Sequence, residues 1–180
     1  MAILICKLTK MEKKEMQSVV GLDLKNHRLF YALFSMEGDF LYRRRKALGE
    51  RWGKQVAGLL IDHAELLIDF ARDERRKIVT VGIAIPGAFD IESGQVYAPG
   101  LPGWHDFNLA PYLQQLKIRL NVPIEVIPDR WANILGEYWQ RDAKGAKNAI
   151  VFSVGSGIST GIMLDGQIIR GKDNLAGAAG

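Results

Sequence analysis

The stretch KIVTVGIAIPG (77–87) is an almost unbroken apolar run that closes on Pro-Gly. A run of this length, rich in β-branched residues, reads as a strand. A strand with no polar alternation is expected to be covered on both faces, as in a parallel sheet with helices packed on it. That expectation selects an α/β fold and sends the search to the flanking segments.

Upstream, SVVGLDL (18–24) is an apolar β-rich run, and HRLFYALFSM (27–36) alternates. EGD (37–39) forms a turn and FLYRRRK (40–46) a third strand, giving a three-stranded antiparallel meander. Residues 54–72 carry Val56, Leu59, Leu60, Ala64, Leu67, Ile68 and Ala71 at helical spacing, so a helix with one buried stripe follows. Downstream, DIESGQVY (90–97) holds a Ser-Gly turn, and APGLPGW (98–104) is a Pro/Gly-rich loop. NLAPYLQQLKIRL (108–120) reads as a helix that Asn108 can cap, with Pro111 in its first turn. VPIEVI is a further strand and RWANILGEYWQRD a further helix.

After AKGAKN the pattern returns to strands. AIVFSVGSG and STGIMLDGQIIRG read as strand, Gly-rich turn, strand, Asp-Gly turn, strand. The order at 148–170 echoes that at 18–46. Two related lobes are expected: residues 18–144, then the start of a second at 145–180, with a hinge near 143–148. Residues 1–17 are expected to be a disordered leader. A second lobe that stops at LAGAAG would expose an apolar sheet face, so the chain is expected to be a fragment of a protein roughly twice as long.

Hydrophobic residues make up 48% and charged residues 24%, the balance of a globular domain rather than a disordered one. Net charge is +4, and only YRRRK (42–46) and RDERRK (72–77) cluster, which favours solubility over nucleic-acid binding. Cys6 is the single cysteine, so no internal disulfide can form and a reducing compartment is expected. The apolar opening MAILIC is too short to span a bilayer and has no signal cleavage site, so the cytoplasm is expected and a membrane is not.

Several residues could carry chemistry. Asp23 ends a strand just before a turn, where a carboxylate could hold a hydrated Mg²⁺ beside nucleotide phosphates, although Asp also simply favours turns. GSGISTG (155–161) has three glycines whose N–H groups could converge on a phosphate, with Ser156, Ser159 and Thr160 as hydroxyl donors; it could equally be a plain hairpin turn. Pro86 and Gly87 would set a stiff turn at the carboxyl edge of the sheet, where ligands gather in open α/β sheets. Trp104 could stack on a sugar or be half-buried. His27, His63 and His105 lack metal-ligand partners at useful spacing, and residues 1–180 hold no zinc motif. Asp129 follows a strand and begins a helix. It could cap that helix, act as general base toward a sugar hydroxyl, or do both.

Taken together, GIAIPGAFDIESGQVYAPGLPGWHDFNLAPYLQQL and LGEYWQRDAKGAKNAIVFSVGSGISTGIMLDGQIIRGKDNLAG resemble the ROK family (repressor, open reading frame, kinase), over roughly residues 18–180. The resemblance implies the actin-like, ribonuclease-H-like ATPase fold and a glucokinase-like sugar kinase. It implies ATP and Mg²⁺ as cofactors, with Asp129 as catalytic base and Asp23 organising the Mg²⁺ through water. Gly155, Ser156, Gly157, Ser159 and Thr160 would meet phosphate; Pro86, Gly87, Gly103 and Asp129 would meet the sugar. A homodimer of the full-length protein is also implied. The alternatives to a kinase are a non-catalytic sugar-sensing domain of the regulator type, lacking its DNA-binding part, or an inactive fragment; regulators of the family sense a ligand without phosphoryl transfer and carry an N-terminal winged helix-turn-helix. Residues 1–17 are too short for one, so DNA is not an expected partner of this chain.

The sequence departs from the family's pattern at the ligands. The first phosphate turn, Asp-x-Gly-Gly-Thr-Lys in the kinases, reads DLKNHR here, with Lys25 and Asn26 for the glycines and His27 for the Thr. Pro128 and Trp131 stand where asparagines flank the catalytic aspartate, and Ala178 stands where a sugar-binding Glu is expected.

Overall fold

The computed structural model describes residues 16–140, 143–155 and 157–178. The expected leader lies outside the described residues except for Met16 and Gln17, which already belong to the first strand. The meander forms as β1 (Met16–Lys25), β2 (Arg28–Ser35) and β3 (Phe40–Ala47). α1 (Lys54–Asp73) then crosses over to β4 (Arg76–Ile85). The short strands β5 (Ala88–Phe89), β6 (Gln95–Tyr97) and β7 (Phe107–Asn108) pair with one another in a small separate sheet. α2 (Ala110–Leu120) leads to β8 (Ile124–Pro128), and α3 (Asp129–Gln140) follows without a break. The main sheet has the order β3-β2-β1-β4-β8. β1, β4 and β8 run parallel, while β2 is antiparallel to both its neighbours.

Alternation explains the core. Val20, Leu22 and Leu24 of β1, with Leu29 and Leu33 of β2, point to one side of the sheet. There they meet Val56, Leu60, Ala64 and Leu67, the stripe predicted for α1. Each fully buried Leu or Val contributes about 1.5–3 kcal/mol of transfer free energy. Trp104 is wholly buried, stacks on Phe107 at 4.7 Å, and donates its Nε1–H to the Gly53 carbonyl at 3.1 Å. The 98–104 loop is thereby pinned to the start of α1, and Trp104 is withdrawn from any ligand. Asn108 lies in β7, and its Oδ1 accepts the Ala110 N–H at 2.9 Å, so it serves the start of α2 from two residues away.

β4 departs from the expectation of cover on both faces. Its Val81, Ile83, Ala84 and Ile85 are all buried, yet Gly82, Ile83 and Ala84 also line a groove of about 950 Å³. Phe30, Phe34 and Phe40 line the same groove. The continuous apolar spelling of β4 conceals this groove, because Gly and Ala read as apolar yet carry little side chain for a helix to cover.

The chain then builds a second sheet from β9 (Ala149–Val154), β10 (Ile158–Leu164) and β11 (Gln167–Ile168), again an antiparallel meander. Asp165 and Gly166, both at positive φ, close its second hairpin, as the Asp-Gly spelling predicts. Ile150, Phe152 and Val154 alternate on one face of β9 and are 57%, 68% and 79% exposed. α3 packs against both sheets.

Candidate ligand-binding cleft

Three parallel strands finish at the same edge of the main sheet. Asp23 is in register with Ala84 on β4, and Ile85 with Pro128 on β8. This brings Asp23, the Pro86–Gly87 turn and Asp129 together at the carboxyl edge, where open α/β sheets bind ligands. A cleft of about 470 Å³ opens there between the two sheets. Its walls include Lys25 at the end of β1, His27 from the β1–β2 turn, Pro86 and Gly87, Asp129, and Gly155, Gly157 and Ser159 opposite.

The central feature is a cation between two carboxylates. Asp23 and Lys25 are two apart on β1 and share a face. The Lys25 ammonium lies 3.1 Å from Asp23 Oδ1 and 3.0 Å from Asp129 Oδ2. Asp129, the first residue of α3, has a side chain only 16% exposed, and its carboxylate is favoured by the positive end of the helix. Burial pushes the Asp23 carboxyl above its ordinary 3.8; Lys25 opposes the rise and Asp129 adds to it. Burial also works against the Lys25 ammonium, but Asp23 and then Asp129 together outweigh it and hold its pKa above the ordinary 10.5.

Each expected site residue has a definite place. Gly87 has φ +79°, and a Cβ on it would fall 2.1 Å from the Tyr97 carbonyl oxygen, so only glycine fits. Gly155 and Gly157 form the turn opposite Asp129, with the Gly155 N–H donating to the Gly157 carbonyl at 2.9 Å. Ser159 joins the cleft wall. Ser156 lies outside the described residues. Thr160 is buried behind the wall, its N–H bound to the Gly177 carbonyl at 2.7 Å. Gly103 packs against Gly53 at the start of α1, where a Cβ would meet the Gly53 nitrogen at 2.6 Å, and is not among the residues lining the cleft. Asp23 lines the neighbouring apolar groove and meets the cleft through Lys25.

The altered positions are built into the fold. Pro128 is buried at the end of β8. Trp131 is buried, its Nε1–H without a hydrogen-bond partner, and Arg170 sits 5.3 Å over its ring. The side chain of Asn26 fills the space beside Gly100. Asn133, one turn after Asp129, lines the cleft and donates to Ser153 Oγ at 2.8 Å, tying α3 to β9. Arg130 is 2% exposed and donates to carbonyls of two loops. Sequence reasoning missed the roles of Lys25, Asn133 and Arg130. The i, i+2 spacing of Asp23 and Lys25 was the available signal for the first.

These positions test the fit of the implied cofactors. A Mg²⁺ at Asp23 would stand against the Lys25 ammonium, which already supplies the positive charge between the carboxylates. Among the described residues, no group of three or more His, Cys, Asp or Glu gathers as metal ligands. The β1–β2 turn presents the side chains of Asn26 and His27 where a phosphate turn would present bare backbone. Mg²⁺ and ATP phosphates therefore do not fit this turn as it stands.

The comparisons agree with the fold. A xylose repressor of Caldicellulosiruptor bescii is 30% identical over 170 residues, covering 93% of this chain and 41% of the repressor. A glucokinase of Halalkalibacterium halodurans is 27% identical over 172 residues, covering 89% of this chain and 48% of the enzyme. A crystal structure of a ROK hexokinase from Thermus thermophilus superposes with a TM-score of 0.73 at 26% identity, over 89% of this chain and 51% of that one. The chain thus spans about half the length of the relatives it matches. Among the described residues, no helix is long and apolar enough to cross a membrane. The mixed sheet, the paired meanders and the cleft between them are those of the actin-like ATPase fold, and with residues 19–180 matching the family's model, the chain belongs to the ROK family.

Proposed function

We propose that this chain builds a sugar-binding cleft that holds its ligand without transferring a phosphoryl group to it. The observation that carries this reading is the Lys25 ammonium lying between Asp23 and Asp129. Asp129 sits just past the end of β8 at the carboxyl edge of the sheet, and its carboxylate can accept a hydrogen bond from a sugar hydroxyl. Lys25 already donates a hydrogen bond to Oδ2 of the same carboxylate at 3.0 Å, so that oxygen is engaged before any ligand arrives. The place for a divalent ion is taken. The ligand class is an aldose, in keeping with xylose in the name of one relative and glucokinase as the name of another.

The second reading is ATP- and Mg²⁺-dependent phosphoryl transfer to a hexose or related sugar, with Asp129 as general base. It is favoured by the position of Asp129 at the carboxyl edge, in the same cleft as Gly155, Gly157 and Ser159. One experiment separates the two. The protein, in its full natural length, is titrated calorimetrically with D-glucose and D-xylose, then incubated with each sugar, ATP and Mg²⁺. Saturable binding with no sugar phosphate supports the first reading. Sugar phosphate above background establishes the second.

A further inference from the structure

Arg130 follows Asp129 in the first turn of α3, and its guanidinium is the best-connected buried group near the cleft. Nε donates to the Ala176 carbonyl at 2.9 Å. One terminal nitrogen donates to the Gly87 carbonyl at 2.7 Å, and the other to the Asn174 carbonyl. One side chain thus holds the β4–β5 turn of the first lobe and the 174–176 segment that follows the second sheet. A planar fork of donors can do this; an ammonium on a flexible stem cannot reach three such carbonyls at once.

The 172–178 segment is seated by other contacts as well. The Asn174 amide reaches the Phe89 carbonyl at 3.3 Å. The Thr160 N–H donates to the Gly177 carbonyl at 2.7 Å, and a Cβ on Gly177 would fall 1.7 Å from the Thr160 oxygen. A Cβ on Gly161 would lie 2.4 Å from the Arg130 carbonyl oxygen, so the first turn of α3 rests directly on β10. Arg130 is therefore where α3, the Gly87 turn and the second sheet are fastened to one another. A buried guanidinium left without these acceptors would be costly, so the loops and the arginine hold each other in place.

We propose that Arg130 is a positioning residue for the cleft: it fixes the Pro86–Gly87 wall relative to Asp129 and locks that wall to the 174–176 segment. A ligand on Asp129 then meets a preformed wall instead of having to order one. The consequence for affinity rests on the sugar-binding reading; the clamp itself does not.

The test uses Arg130→Met, with Arg130→Lys as a milder variant that keeps charge and stem. Amide hydrogen exchange without ligand should show residues 86–90 and 172–178 losing protection together in Arg130→Met, with β1 and α1 unchanged. A merely structural role would lower protection everywhere. Arg130→Lys should loosen both segments less. Affinity for whichever of D-glucose and D-xylose binds the wild type should fall about tenfold in Arg130→Met, and partly recover in Arg130→Lys. Loosening of one segment alone, of neither, or of the whole fold uniformly would overturn the clamp. Loosening of both with unchanged affinity would overturn its role in the cleft. If Arg130→Met does not fold, the exchange pattern of Arg130→Lys decides. If the wild type binds neither sugar, the sugar-binding reading falls and the exchange result alone judges the clamp.

Discussion

Lys25 joins the ends of two strands: its ammonium is 3.0 Å from Asp129, the first residue after β8, and 3.1 Å from Asp23 on its own strand β1. Removing it leaves two half-buried carboxylates facing each other. Lys25→Met should therefore cost about 1–2 kcal/mol at neutral pH, between the values for exposed and buried pairs broken on one side. Urea denaturation measures this. Part of the loss should be regained on acidification, as one carboxylate takes up a proton.

The pH dependence has a definite sign. The folded pKa of Lys25 lies above the unfolded value of 10.5, so its stabilisation is complete below 10.5 and is lost as pH rises through the folded value. Asp23 is also raised, above 3.8, so its contribution is present below 3.8 and is lost as pH climbs through its folded value. Wild-type stability should thus fall in the alkaline range above 10.5, and Lys25→Met should lack that component. Denaturant midpoints on both sides of 10.5 check this.

Lys25→Gly goes further by vacating the space between the carboxylates. This variant should bind Mg²⁺ measurably in a calorimetric titration where the wild type does not, because two carboxylates then face a gap that an oxygen-seeking cation can fill. Equal Mg²⁺ binding by both proteins would show that Lys25 does not hold that place.

Gly87→Ala tests the wall of the cleft. With φ at +79° and the Tyr97 oxygen 2.1 Å from the new Cβ, the β4–β5 turn must shift. A loss of about 2–3 kcal/mol is expected from backbone strain and overpacking together. Thermal denaturation measures it, and an unchanged midpoint would show that the turn is free to relax.

Much of the fold was legible in the sequence because periodicity reports local structure. The α1 stripe, the two meanders and the Asp165–Gly166 hairpin all follow from spacing and turn chemistry. The groove beside β4 was not legible, since Gly82 and Ala84 count as apolar whether or not a helix covers them. At the site, Asp129 and the Pro86–Gly87 turn could be placed at one sheet edge from strand order alone. Lys25 looked only like a lost glycine, because its reach to Asp129 depends on the parallel register of β1, β4 and β8. Arg130 gave no signal beyond an arginine next to a candidate base; its three acceptors come from loops 43 or more residues away in sequence. Gly103 matched a family motif, yet its position is explained by packing against Gly53.

In the proposed reading Asp129 receives a sugar hydroxyl while Lys25 keeps the site from phosphoryl transfer. The most direct measurement follows radiolabelled γ-phosphate from ATP in the presence of Mg²⁺ and D-glucose or D-xylose, beside calorimetric titration of the same sugars into wild type and Asp129→Asn. Saturable sugar binding by the wild type is expected, weakened about tenfold in Asp129→Asn, with no label passing to sugar in either protein. Label transferred to the sugar by the wild type and abolished in Asp129→Asn would contradict that reading and make the protein a kinase.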